Sequence, residues 1–184
     1  MKPASKTLPS TADVTPETLA IAAGISGSAT LEQKEVLARS ILFFGRPGGD
    51  FAADVASRIR PVRYDVFQDA TNKTRTEMEC ELVVGDDMLN YHRTLHGGCT
   101  AYLIDVCTMH SLIPIVQGHL TLSMDFVCHA PAPHGVTLKI VSKTITLGKR
   151  VFSLRCKIYD KNTGRLCVSG NHLKVPLGTT ESRL

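Results

Sequence analysis

The chain lacks tryptophan, and aromatic residues make up only 5% of its 184 residues. It has no uninterrupted apolar run of the roughly 18 residues that a membrane-spanning helix needs, so no span is predicted. Lys and Arg are scattered, and the net charge is only +4. Without a basic run, or aromatic side chains that stack on bases, nucleic acid is not expected as a partner, whereas a small anionic ligand is compatible.

Cysteine is present, but without the spacing of a disulfide framework. None of the six Cys residues forms a CxxC pair, and most fall in apolar patterns, where free Cys behaves as a small hydrophobe. The first twenty residues lack the apolar core of a secretion signal. We therefore expect reduced thiols and a cytoplasmic location. A mitochondrial location stays open, although Asp13 and Glu17 are unusual in a presequence.

Hydrophobic residues make up 43% of the chain, and the length suits one domain with a sizeable core. Residues 1–28 are polar and contain proline, which predicts a flexible N-terminal tail. Thr30 followed by Gln33 is a capping-box pattern and predicts a helix in an N-terminal extension over residues 29–59. The main domain is expected over residues 60–178.

Period-2 alternation of apolar residues begins after residue 60. In TEMECELVVG, apolar side chains alternate with glutamates, which is typical of a half-exposed antiparallel strand. Four more strand patterns follow residue 118, separated by the turn signals APAPHG, LGKR and DKNTG. Between the two groups, Cys99 to about Ile113 forms an apolar segment that predicts a buried helix ended by Pro114.

A helix that is apolar on nearly all sides must be enclosed by other elements. The order of the predicted elements is helix, two strands, helix, four strands. We therefore predict an α+β fold, in which an antiparallel sheet of five or six strands wraps around one long central helix, with an extra N-terminal helix.

Asp105 is the only acid in the predicted central helix. A buried carboxylate is costly and is ordinarily a structural residue bonded to backbone amides or to an arginine. However, Gly97 and Gly98 stand directly before the apolar segment, where free N–H groups and the helix dipole can hold a developing negative charge. This combination makes Asp105 a candidate catalytic carboxylate.

The spacing of these residues has a consequence for assembly. Gly97 and Asp105 are eight residues apart, which is about 12 Å along a helix. One substrate carbonyl cannot touch both groups of the same helix. If both act on one substrate, they come from different subunits of a symmetric homodimer whose helices pack antiparallel.

The run from Asn90 through TLHGG to Asp105, together with DKNTGRLCVSGNHLKV, resembles the hotdog-fold thioesterases, and within them the phenylacetate-operon (PaaI-like) type. The resemblance covers roughly residues 60–175. It implies a hotdog fold, hydrolysis of an acyl-coenzyme A thioester and no cofactor, because coenzyme A is part of the substrate. It also implies a homodimer that usually pairs into a homotetramer as a dimer of dimers.

The resemblance also assigns roles to residues. Gly97 supplies the N–H that polarises the thioester carbonyl, and Asn90 helps to hold water or substrate. Asp105 of the partner subunit is general base or nucleophile. A hydroxyl on the next strand positions the water or the carboxylate; Thr121 is favoured for this role, and Ser123 is the alternative.

Further residues are expected to bind substrate. His96 and Gly98 flank the Gly97 N–H. A basic hairpin, joined by one lysine of the last strand, is expected near the phosphates of coenzyme A, with a solvated turn as the alternative; its residues are Gly148, Lys149, Arg150 and Lys174. Arg93 stands where the resembling proteins commonly have glycine.

The same residues have other interpretations. His92 and His96 are four apart, but the glycines keep His96 in a turn and no second ligand cluster follows, so no metal site is expected. Cys99 and Cys107 lie in an apolar helix without a paired His, which favours core residues over nucleophiles. A hotdog dehydratase or hydratase, and a non-catalytic acyl-coenzyme A-binding module, remain the alternative functions.

Overall fold

The computed structural model describes residues 14–49 and 51–177. Three helices come first, namely α1 (Pro16–Gly24), α2 (Leu31–Phe44) and the short α3 (Ala53–Ala56). Strands β1 (Arg60–Gln68) and β2 (Thr74–Val83) precede a 3-10 turn at Asp86–Met88 and helix α4 (Gly97–Leu112). The chain continues with β3 (His119–Cys128), β4 (Thr137–Leu147), β5 (Phe152–Asp160) and β6 (Leu166–Pro176).

The six strands form one antiparallel sheet in the order β1-β2-β4-β5-β6-β3. Helix α4 packs against five of these strands, β2 to β6. Its Leu103, Ile104 and Cys107 are fully buried in one core with inward-facing strand residues such as Met78 and Ile140. The predicted α+β fold, a sheet around a central helix, is confirmed.

The outer face of the sheet explains the alternating pattern of β2. Cys80 pairs in register with Ile140, and both are fully buried. On the opposite face, Glu77 and Glu79 form ion pairs with lysines of β4 at 2.6 and 2.8 Å. Successive residues of a strand point to opposite faces, so the acids face water while the apolar side chains cover α4.

The structure differs from the flexible tail expected over residues 1–28. Helix α1 lies within that segment, and residues 1–13 lie outside the described residues. Thr15 caps α1 by accepting from the Thr18 N–H at 3.2 Å, and Pro16 occupies its first turn. Such a cap with proline favours a helix start, and packing against α2 buries Thr18 and Ala22. Because this packing is tertiary, the polar composition did not predict it.

The N-terminal helices are fastened to the central helix. The capping box of α2 is confirmed, because Thr30 accepts from the Gln33 N–H at 3.2 Å and donates its own N–H to Gln33 Oε1 at 2.9 Å. Farther along α2, buried Ser40 hydrogen-bonds His110 of α4 at 2.8 Å. Burial lowers the pKa of His110 to about 3, so its ring is neutral.

No helix in the described residues is both long and apolar enough to cross a membrane.

Candidate active site

Helix α4 begins at Gly97, two residues before the predicted start, so both glycines lie in its first turn. His96 is the N-cap, and its Nδ1 accepts from the Gly98 N–H at 2.9 Å. Within the described part of the chain, nothing accepts from the Gly97 N–H. Gly97 is therefore an open donor at the positive end of the helix dipole. The Gly98 N–H, which was expected to face substrate, is used by His96 instead.

Asn90 organises the loop in front of α4. Its Oδ1 accepts from the backbone N–H groups of His92 at 2.9 Å and Thr94 at 3.2 Å. Its Nδ2 donates to Thr94 Oγ1 at 2.9 Å. Within this turn Arg93 has a φ of 60°, a left-handed conformation that favours glycine. A glycine at this position would adopt the same backbone conformation without strain.

Asn90 and Gly97 line the same cavity, which has a volume of about 320 Å³. The remaining walls include Thr100 of α4, the segment after β3 and Val168 of β6. Asp105 is not among the lining residues. It lies eight residues beyond Gly97 on the same uninterrupted helix, an axial separation of about 12 Å.

Asp105 is the acceptor of a second polar cluster. Its side chain is 47% exposed, so it is not the enclosed acid that the apolar helix suggested. Oδ1 accepts from Lys174 Nζ at 3.0 Å and from Thr121 Oγ1 at 3.2 Å, and His172 Nε2 lies 3.7 Å away. These contacts come from β6 and β3, which pair with each other. The structure thus places Asp105 and Thr121 together.

Lys174 does not join the basic hairpin, which was the prediction from the sequence. The side chain is only 3% exposed and is bound to Asp105, so it is not available to the phosphates of coenzyme A. In the sheet, Lys174 pairs in register with Thr121 of β3 and Phe152 of β5. This register turns its side chain toward α4 instead of toward the hairpin surface.

His172 extends this polar cluster toward the core of the protein, and its role was not predicted from the sequence. Its Nε2 lies 3.0 Å from Thr121 Oγ1, and its Nδ1 lies 2.7 Å from Thr108 Oγ1. Burial, reinforced by the charge of Lys174, lowers the pKa of His172 to about 4, so the ring is neutral. The available signal was the pair His172 and Lys174, two polar residues on the inward face of a strand.

The charges of the cluster depend on one another. Burial alone would raise the pKa of Asp105, but the charge and hydrogen bond of Lys174 outweigh it and leave that pKa lowered. Burial lowers the pKa of Lys174, and Asp105 opposes this shift. At neutral pH the pair is a carboxylate and an ammonium, so Asp105 is able to accept a proton.

Ser123 is separated from this cluster by a bulge. The pairing of β3 with β6 shifts register between Thr121 and Ser123, which breaks the alternation that would put them on one face. Among the described residues, Thr121 is the hydroxyl of β3 that bonds Asp105. The geometry favours Thr121 over Ser123.

The basic hairpin between β4 and β5 is exposed. Gly148 closes the turn by donating its N–H to Val151 O at 3.0 Å, and a Cβ at Gly148 would lie 2.9 Å from that oxygen. Lys149 and Arg150 follow in the turn, and neither forms an ion pair with a described residue. Their charges are available to an anionic ligand.

Burial and hydrogen bonding keep the two thiols of helix α4 protonated. The described residues contain no group of three or more His, Cys, Asp or Glu side chains arranged to hold a metal ion. All six cysteines are free. Burial raises the pKa of Cys99 to about 11, while a hydrogen bond to Cys80 and burial raise that of Cys107. Protonated thiols are poor nucleophiles.

Comparison with known proteins identifies the family. No protein-family model matches the chain. Acyl-coenzyme A thioesterase 13 of Homo sapiens is 30% identical over 97 residues, which cover 52% of this chain and 69% of that protein. The chain belongs to the PaaI-like hotdog thioesterases.

Comparison with solved structures identifies the fold. Thioesterase superfamily member 2 from Mus musculus superposes with a TM-score of 0.62 at 22% identity, covering 82% of this chain and all of that one. The E. coli PaaI protein gives a TM-score of 0.53 at 17% identity, covering 64% and 81%. The fold of this PaaI-like protein is the hotdog fold, and the protein is a thioester hydrolase.

Proposed function

We propose that this PaaI-like thioesterase hydrolyses acyl-coenzyme A to a free carboxylic acid and coenzyme A. The observation that carries the proposal is a half-exposed Asp105, paired with Lys174 at 3.0 Å, on the helix whose first turn presents the open Gly97 N–H. The relative named acyl-coenzyme A thioesterase 13 supports the substrate class. No cofactor is required, because water and a carboxylate are sufficient for the reaction.

The proposed active site is shared between two copies of the chain. Gly97 and Asn90 of one protomer line one cavity, whereas Asp105 lies about 12 Å farther along the helix. A two-fold axis between antiparallel α4 helices would bring Asp105 of the partner subunit to this cavity. Two such dimers would form the tetramer that the family resemblance implies.

The edge of the sheet supports such a dimer. Strand β3 is an outer strand, and its Leu120, Leu122 and Val127 are 54–56% exposed. An exposed edge strand with apolar side chains presents unpaired backbone groups that a second copy can satisfy. Thr121, which bonds Asp105, belongs to the same strand, so pairing there would place Asp105 near the interface.

In the general-base route, the thioester oxygen accepts from the Gly97 N–H while Asp105 of the partner subunit removes a proton from water. The resulting hydroxide adds to the carbonyl carbon, the carbon–sulfur bond breaks, and the proton passes to the coenzyme A thiolate. In the nucleophilic route, the carboxylate adds to the carbonyl carbon, the carbon–sulfur bond breaks and the coenzyme A thiolate leaves; water then hydrolyses the mixed anhydride, which releases the acid, restores the carboxylate and supplies the proton for the thiolate. Asn90 holds the Gly97 loop, and its second amide N–H is the candidate contact to substrate or water.

The test is the variant Asp105→Asn, which keeps the size of the side chain. We expect kcat for acyl-coenzyme A, followed as free thiol released, to fall at least about a hundredfold. Asp125→Asn is the matched control. It makes the same change at an aspartate of β3 that accepts from Asn171 at 3.2 Å and lies outside the cluster around Asp105.

A folded Asp105→Asn protein with the native rate would refute the proposed role of Asp105. A wild-type protein that changes enoyl absorbance without releasing thiol would indicate a hydratase or dehydratase. Binding of acyl-coenzyme A with neither change would indicate a binding module.

A further inference from the structure

We propose that Lys174 is a positioning residue of the active site: its buried ammonium orients Asp105 through Oδ1, holds it as an anion and leaves Oδ2 as the reacting oxygen. This inference rests on the proposed function of Asp105. It assigns to Lys174 a role in the reaction that does not involve contact with coenzyme A.

The hydrogen bonds divide the two oxygens of the carboxylate. Lys174 Nζ lies 3.0 Å from Asp105 Oδ1 and 3.4 Å from Thr121 Oγ1, and Thr121 donates to the same Oδ1 at 3.2 Å. No donor from the described residues reaches Oδ2. Because the side chain is half-exposed, Oδ2 is the oxygen with lone pairs free for a water proton or a carbonyl carbon.

The groups around Asp105 leave Lys174 as its charged partner. From β3, His119 is neutral because burial lowers its pKa to about 4, and neutral His172 faces the carboxylate from β6. From α4 itself, Tyr102 stays protonated because burial raises its pKa to about 12. At neutral pH, Lys174 is therefore the positively charged group that faces the Asp105 carboxylate.

The ammonium is in turn dependent on the carboxylate. Lys174 is 3% exposed, and an unpaired buried ammonium is strongly unfavourable. The pairing of Asp105 with Lys174 therefore predicts that kcat/KM falls both below and above neutral pH. Below neutral pH, Lys174 resists protonation of Asp105, because burial would otherwise raise that pKa. Above neutral pH, loss of the Lys174 proton removes the positive charge that attracts Oδ1 and leaves a neutral amine, which is a weaker hydrogen-bond donor.

The experiment is the pH profile of kcat/KM for the full chain and its variants, measured by the loss of thioester ultraviolet absorbance so that detection does not depend on thiol ionisation. In Lys174→Met we expect the acid limb to move up by about one pH unit or more, the size of shift that an adjacent opposite charge produces. The alkaline limb due to the lysine should disappear, and the maximal rate should fall about tenfold to a hundredfold, as for one lost hydrogen bond to a charged group.

Two further variants make the result decisive. Lys174→Arg keeps a charge that does not titrate in this range, so its acid limb should stay in place while its alkaline limb disappears. Lys143→Met is the matched control, because it removes a strand lysine that pairs with Glu77 at 2.6 Å on the outer face of the sheet. Its pH profile should match that of the wild type.

An unmoved acid limb in folded Lys174→Met overturns the inference, since a merely structural residue lowers the rate at every pH without shifting a limb. If that variant does not fold, the arginine variant decides, and a wild-type alkaline limb in Lys174→Arg overturns the inference. Absence of thiol release by the wild type, or a native rate in Asp105→Asn, would instead refute the proposed function. The two failures are therefore distinguishable.

Discussion

At the scale of single residues, Thr121 is the point where the polar groups of the site meet. Its Oγ1 lies within 3.4 Å of Asp105 Oδ1, His172 Nε2 and Lys174 Nζ. A hydroxyl has one proton to donate and lone pairs to accept with. Thr121 donates its proton to Asp105 Oδ1, and its oxygen also faces Lys174 Nζ and His172 Nε2. Thr121 thereby helps to fix the direction of the carboxylate.

We predict that Thr121→Ala lowers kcat about tenfold to a hundredfold, because it removes a hydrogen bond of about 1.5–3 kcal/mol to a charged group. Thr121→Ser, which keeps the hydroxyl, should recover most of the rate. Ser123→Ala is the control, since the bulge separates Ser123 from the cluster. A greater loss in Ser123→Ala than in Thr121→Ala, measured as thiol release, would reverse the assignment of the hydroxyl.

At the scale of elements, the β4–β5 hairpin carries charge that the fold itself does not use. Gly148 shapes the turn, and Lys149 and Arg150 extend from it without ion pairs to described residues. On β4, the strand that leads into this hairpin, Lys139 and Lys143 are instead paired with glutamates of β2. The unpaired charges are the ones that an anionic ligand can meet at little desolvation cost, and we propose that they bind the phosphates of coenzyme A.

Changing both Lys149 and Arg150 to Ala should raise KM for acyl-coenzyme A about twofold to thirtyfold, because each exposed charge contributes about 0.2–1 kcal/mol. An acyl-pantetheine ester lacks the nucleotide, so its KM should be unchanged. The matched control changes Lys139 and Lys143 to Ala and should leave the ratio of the two KM values as in the wild type. An equal loss on both substrates would argue against phosphate binding by the hairpin.

At the scale of the whole molecule, the two halves of the proposed site lie apart in one chain. The cavity lined by Asn90 and Gly97 does not include Asp105, and the intervening helix is continuous. A rigid helix cannot close an axial gap of about 12 Å. In the proposed architecture a second copy completes the site, and a two-fold axis relates two equivalent sites.

Mixing two variants that are each expected to be inactive, Asn90→Ala and Asp105→Asn, tests this architecture. In a mixed dimer one site carries both defects and the other carries neither. If the chains are shuffled by refolding, about half of the dimers are mixed and each has one intact site, so about a quarter of the native activity should return. Mass spectrometry verifies that mixed dimers form; their presence without recovered activity would place each site within one chain.

Much of the fold follows from local patterns in the sequence. Alternation in β2 predicted a strand because each apolar residue faces the core, and Thr30 with Gln33 predicted the start of α2 because a cap acts over three residues. Asp105 was identifiable because it is the only acid in an apolar helix. Helix α1 was missed because its stability depends on packing against α2 and not on its own periodicity.

The sequence by itself determined the element order, the central helix and the spacing of Gly97 and Asp105, since these depend on propensity, capping and rise per residue. Only the tertiary structure decided the partners of Asp105. Lys174 lies 69 residues away in the chain and reaches Asp105 because β6 pairs between β5 and β3. Strand alternation predicts which residues share a face, but burial and charge pairing depend on what that face meets, and this is decided by strand order and register.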